Sequence, residues 1–166
     1  MEEKVPKEEK LEVKGGAIHP LLTYAYFVFL LAVILGLIFD LFIQVNLGWG
    51  IIHSGIGVLS IIAGSLLVYW SQYSSSLLSK YGDEKEVTTQ FFKNGPYRFL
   101  RNPSYLGVFI LSLGLALVLK SFFSVIFSIL SYLVVRIVFV KREEKILSQK
   151  YGQVYKEYKD ENTDIL

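Results

Sequence analysis

Four apolar runs alternate with polar ones along the chain. Met1–Gly16 alternates Glu with Lys and closes on Gly-Gly, which predicts a solvated arm over residues 1–20 ahead of a single membrane domain over 21–166. It makes a poor signal peptide: glutamates spoil a basic leader, and the following apolar run is long and lacks a small-residue cleavage site. Leu21–Ile43 is the first predicted span, entered through Pro20. Its 23 residues give about 35 Å of helix, enough to cross a bilayer with some tilt. Ile51–Trp70 is the second. Gly57, Ser60 and Gly64 share one of its faces, where another helix can approach closely. Ser71–Asn94 reads as a polar connection, with Val87–Phe92 as a short extended piece.

The last two runs, 104–119 and 122–140, predict a helical hairpin with Lys120 at its turn. Gly107, Leu111 and Gly114 share a face that predicts tight packing within that hairpin. Beyond Lys141 the chain turns polar. Ile146, Leu147, Tyr151, Val154, Tyr155 and Tyr158 recur there at three- and four-residue steps, the mark of an amphipathic helix, bent at Gly152. The fold class predicted is an all-α integral membrane protein. It has four transmembrane helices, the last two a hairpin, and a C-terminal amphipathic cytoplasmic helix.

Composition agrees with a membrane protein. Hydrophobic residues make up 52% and charged residues 19%, with a mean hydropathy of +0.44. The charges are blocked into the two ends and one central loop. Basic residues number four in the N-terminal arm, five in 71–105 and six in 141–166. With Lys120 alone on the opposite side, that bias predicts a multi-pass protein with both termini in the cytoplasm. Any chemistry then belongs to the cytoplasmic face, over 87–105 and 141–160. The absence of cysteine excludes disulfides and thiolate chemistry. His19 and His53 lie in different segments, so no metal site is expected; His53 reads as a hydrogen-bonded interface residue and Asp40 as an interfacial carboxylate. No nucleic-acid partner is expected.

The chemistry concentrates in Gly95-Pro96-Tyr97-Arg98-Phe99-Leu100-Arg101-Asn102-Pro103-Ser104-Tyr105-Leu106-Gly107. This stretch holds two of the four prolines, so 94–103 should be irregular and a helix should start near Pro103 or Ser104. Its arginines and tyrosines suit either a binding site or ordinary interfacial anchoring. Arg136 is the main charge inside a span, where a charge is costly and faces a partner or a wet cavity. Glu143 lies seven residues on, so Arg136, Val140 and Glu143 should form one stripe pointing into the bundle. Together with Arg98, Arg101 and the tyrosines, the pair Glu143-Glu144 offers cations for a carboxylate and carboxylates for an amine or ribose hydroxyls.

The central stretch resembles the signature of the isoprenylcysteine carboxyl methyltransferase family, in a wider group that includes phospholipid N-methyltransferases. The resemblance continues through Glu143-Glu144, Leu147, Tyr151-Gly152, Tyr155 and Tyr158 and covers about residues 87–160. It implies an S-adenosylmethionine-dependent methyltransferase embedded in the membrane and acting on a lipid or lipidated small molecule, foremost a prenyl-cysteine-like carboxyl group. It implies cofactor contacts from Tyr97, Arg101, Asn102, Pro103, Ser104, Tyr105 and Glu143, with Thr89, Phe91 and Phe92 lining the adenosine pocket. Arg136, Arg142, Glu143 and Glu144 are the candidates for acting on the substrate. The family's usual histidine is Asn102 here, which can hydrogen-bond but cannot titrate near neutral pH. The alternatives are a phospholipid N-methyltransferase, a sterol-type reductase using NADPH, and a non-catalytic membrane scaffold.

Overall fold

The computed structural model describes residues 18–43, 45, 48, 50–81 and 93–161. The extended piece over 87–92, and nearly all of the N-terminal arm, lie outside the described residues. Every regular element described is helical. Helices α1 (Ile18–Phe42) and α2 (Ile51–Tyr81) precede a 3-10 turn over Gly95–Arg98. Helices α3 (Pro103–Val118) and α4 (Phe122–Val135) come next, then a π turn over Arg136–Val140 and helix α5 (Lys141–Glu161).

Leu22–Phe42, Ile51–Ser76 and Phe122–Gln149 are long and apolar enough to cross a membrane. The apolar helix α3 has 16 residues, about 24 Å, shorter than a hydrocarbon core of roughly 30 Å. The irregular stretch before it and its start at Pro103 match the sequence reading.

Helix α2 corrects that reading. It runs 11 residues beyond Trp70, through Ser71–Tyr81, where a loop was predicted. Serines favour helix ends because their hydroxyls compete for backbone groups in water. Here Ser71 and Ser74 are buried. The Ser71 hydroxyl donates to the Tyr97 phenol oxygen at 3.0 Å and shares a 2.6 Å hydrogen bond with Ser104. Partners across the packing leave the Ser71 hydroxyl no reason to break the helix.

The small-residue face of α2 does receive another helix. Built Cβ atoms on Gly57 and Gly64 would lie 2.8 Å from Gly114 O and 2.6 Å from Leu111 N. Gly107 and Gly114 of α3 therefore pack on α2, where packing within the α3–α4 hairpin was predicted. So close a contact requires a second glycine face, and α2 carries it. Helix α4 packs instead on α1. Gly36 sits against the Ser124 backbone, and the Ser124 hydroxyl donates to Val33 O at 2.9 Å. Lys120, at the turn between α3 and α4, takes a φ of 55°. Asp40 at the far end of α1 caps the start of α4, accepting from the Ser121 hydroxyl and from Phe123 N–H. The carboxylate read as interfacial is thus a helix cap supplied from another helix. His53 accepts from Gly50 N–H at 3.3 Å.

The core gathers Ala25 and Phe29 of α1, Tyr105 and Val108 of α3, Val135 of α4 and Val140 of the π turn. Val135 and Val140 are both buried although they lie five residues apart. A π turn inserts one residue into the helical rhythm and rotates the downstream segment by about 100°. The inward stripe therefore runs from Val135 through Val140 to the Glu143-Glu144 pair. Arg136, half-buried, opens the turn directly after Val135.

The closest backbone approach generates a test. Gly64→Val drives a branched side chain into Gly107 O and Leu111 N. It should lower stability by about 3 kcal/mol, read as a lower thermal midpoint of the protein in detergent micelles.

Candidate active site

Gly95 begins the turn with a φ of +59° and a built Cβ 2.1 Å from the Ser74 hydroxyl. Glycine alone meets both conditions. The chain then lays Pro96 against the core, and its carbonyl accepts from the N–H groups of Phe99 and Leu100. Tyr97 is thereby fixed over α2, its phenol oxygen on Ser71 and its carbonyl accepting from the Tyr158 hydroxyl at 2.7 Å. Burial pushes the Tyr97 phenol up from its ordinary titration range, and the nearby Glu143 charge adds to this. It stays protonated.

Asn102 precedes Pro103, and α3 then buries Ser104 and Tyr105. The Tyr105 hydroxyl stands next to the Glu143 carboxyl. Tyr105 Oη, Glu143 Oε2 and Asn102 Nδ2 are all buried without a hydrogen-bond partner among the described residues. The Tyr105 and Glu143 groups adjoin each other, and Asn102 is the N-cap residue of the helix that carries Tyr105; buried atoms of this kind are costly unless something else satisfies them.

Glu144 is held quite differently. Arg101 Nη1 approaches its carboxylate at 3.4 Å, with both side chains nearly buried. Lys159 Nζ reaches its other oxygen at 2.8 Å. In a straight helix residues 144 and 159 would be about 22 Å apart. The contact exists because α5 reverses at Gly152, whose φ of 55° and ψ of −126° are not helical. The predicted bend is therefore a fold-back. Tyr155 and Tyr158 are buried against Leu147, Tyr151 and Val154, and Lys93 pairs with Glu161. Tyr155 lies within electrostatic reach of Glu143, Glu144 and Arg101, and burial followed by the two carboxylates pushes its phenol up.

The structure thus brings together Tyr97, Arg101, Asn102, Pro103, Ser104, Tyr105, Glu143 and Glu144. Arg142 is exposed on α5 and Arg136 lies on the π turn. Thr89, Phe91 and Phe92 lie outside the described residues. Sequence reasoning missed Ser71, because its serine run was read as loop. It also missed Lys159, which reaches the site only through the reversal. Tyr155 and Tyr158 carried a signal in their helical spacing.

The bundle combines helices apolar enough to cross a membrane with a group of buried polar side chains, which is the make-up of a membrane protein with a polar site. Residues 52–154 match the family model of phospholipid methyltransferases, and the chain belongs to that family. No curated protein and no solved structure matches the chain.

The fold-back depends on one backbone conformation. Gly152→Ala meets no steric neighbour, yet it forces an alanine into a region open essentially to glycine alone. We expect a local cost of about 2 kcal/mol and roughly tenfold faster trypsin cleavage at Lys156 and Lys159.

Proposed function

We infer that the protein is an S-adenosylmethionine-dependent membrane methyltransferase that acts on a lipid-borne acceptor. The observation that carries this reading is the cluster of buried, unpartnered polar atoms on Asn102, Tyr105 and Glu143, within the residues that match the family. The cluster fits the cofactor. An amide donor, a phenol and a carboxylate complement ribose hydroxyls, an ammonium and a carboxylate. Among the described residues no ion pair joins Glu143 to a cation, so its charge is open to the positive groups of a sulfonium amino acid.

When bound, S-adenosylmethionine supplies an electrophilic methyl carbon for in-line displacement. The protein's own work is placement and exclusion of water. Asn102, Tyr105 and Glu143 hold polar groups of the ligand. Tyr97, fixed by Ser71 and Tyr158, closes one wall. The folded-back half of α5 brings Tyr155 over the site and keeps solvent out. Glu144, engaged by two cations, is a clasp and not a base. A carboxyl acceptor, such as a prenyl-cysteine, needs no base. A phospholipid amine does, and Glu143 is the group placed to accept its proton.

In this reading α3 crosses the bilayer as the short fourth span and both termini lie on the cytoplasmic side. The distribution of lysine and arginine supports that orientation.

The test is calorimetry with S-adenosylhomocysteine against NADPH, followed by labelled-methyl transfer into a total lipid extract with a prenyl-cysteine analogue. S-adenosylhomocysteine should bind and NADPH should not. Glu143→Ala should weaken that binding roughly 30-fold, as expected for loss of a charged hydrogen bond, and abolish transfer. Binding of NADPH would favour the reductase, and binding of neither a scaffold.

A further inference from the structure

Three of the four helix seams around the site are sealed. Helices α2 and α3 meet backbone to backbone at Gly64 and Gly107. Helices α1 and α4 meet the same way at Gly36 and Ser124. Between α3 and α4, Phe109 stacks on Tyr132 with ring centroids 4.3 Å apart. The fourth seam, between α1 and α2, is built differently. Gly57 and Gly64 turn the small-residue face of α2 to α3, and the close approach of α1 is to α4. Among the described residues, a side-chain hydrogen bond bridges α1 and α2, from the Gln72 amide to the Tyr26 hydroxyl.

That bond is exposed and lies on the side of the site that carries Tyr97 and Tyr105. The floor of the site is α3, where Tyr105 and Val108 pack with Ala25 and Phe29, and Tyr26 and Val68 flank them. Tyr26 is within electrostatic reach of both Tyr97 and Tyr105. Gln72 is exposed and lies between Trp70 and Tyr73, aromatic residues of the kind that mark headgroup depth. Phe27, next to Tyr26 in α1, and Tyr69, three residues before Gln72 in α2, are exposed apolar surface. A neutral, single hydrogen bond at a bilayer interface is weak enough to exchange with a polar headgroup. Tyr26 also lies outside the residues that match the family, which begin at residue 52.

We propose that the α1–α2 seam is the lateral portal for the lipid-borne acceptor, and that Tyr26 and Gln72 close it and engage the headgroup as it passes to Tyr105. The proposal rests on the methyltransferase reading. The acceptor's tail stays in the bilayer between Phe27 and Tyr69 while its headgroup replaces the Gln72–Tyr26 bond. The soluble cofactor reaches Glu143 from the side of α5 and does not use this path.

The chain has no cysteine, so Tyr26→Cys with Gln72→Cys creates a unique thiol pair. Two side chains this long that meet at their tips hold their backbones too far apart for a disulfide, so a bis-maleimide bridges the pair. The full chain is reconstituted in vesicles of phosphatidylethanolamine and phosphatidylcholine carrying a prenyl-cysteine analogue. Bridging should lower labelled-methyl transfer at least about tenfold relative to the same variant unbridged, with the affinity for S-adenosylhomocysteine held within about twofold. Undiminished transfer after complete bridging overturns the portal. In a second arm, Tyr26→Phe and Gln72→Leu should each raise the apparent KM for the vesicle-borne acceptor several-fold and leave cofactor affinity in place. A loss of cofactor affinity in either variant would instead put that residue in the cofactor pocket and overturn the assignment. Failure of the unaltered protein to bind S-adenosylhomocysteine sinks the methyltransferase reading itself, and the portal with it.

Discussion

The site depends on the double engagement of Glu144. Arg101 arrives from the stretch before α3, and Lys159 from the far half of α5. One carboxylate therefore ties three segments that are distant in sequence. A nearly buried carboxylate with a single cation is a doubtful source of stability, because desolvation offsets most of the attraction. A second cation, partly exposed and less costly to desolvate, shifts that balance. The result is division of labour between adjacent glutamates. Glu144 is committed to architecture through its two cations, whereas no ion pair among the described residues engages Glu143.

The same logic governs the helices. Four glycines let α2 and α3 touch at the backbone, and Ser71, which continues α2 past Trp70, reaches Ser104 because α3 stands that close. Ser71, Ser104 and Tyr97 form one hydrogen-bonded group. Tyr97 is thus held from below by α2 and from above by Tyr158. Packing between two apolar helices sets the position of a polar turn. That position in turn decides which side chains face the ligand.

Most of the helical layout was legible because apolar runs, prolines and glycines act locally. The break at Pro96 and Pro103, the turn at Lys120 and the amphipathic spacing after Lys141 needed no tertiary information. The proximity of Tyr97, Tyr105 and Glu143 was legible through family resemblance, since nothing local places residues 97 and 143 together. Three features were not legible. The serines of α2 look like a loop until their partners are known. Gly152 announces a bend, but its sign and size are set by a ψ of −126° that residue type does not fix. The π turn has no sequence signature, because Arg136–Val140 reads as a continuation of the apolar helix before it.

That π turn makes chain length, rather than composition, the strict requirement between the last span and the paired glutamates. Residues 136–140 tolerate exchange of one apolar side chain for another, since the turn reads only a count. Deletion of a single residue there would heal the helix into an ordinary one. Everything downstream would then swing about a quarter of a revolution, and both carboxylates would be presented to the wrong neighbours.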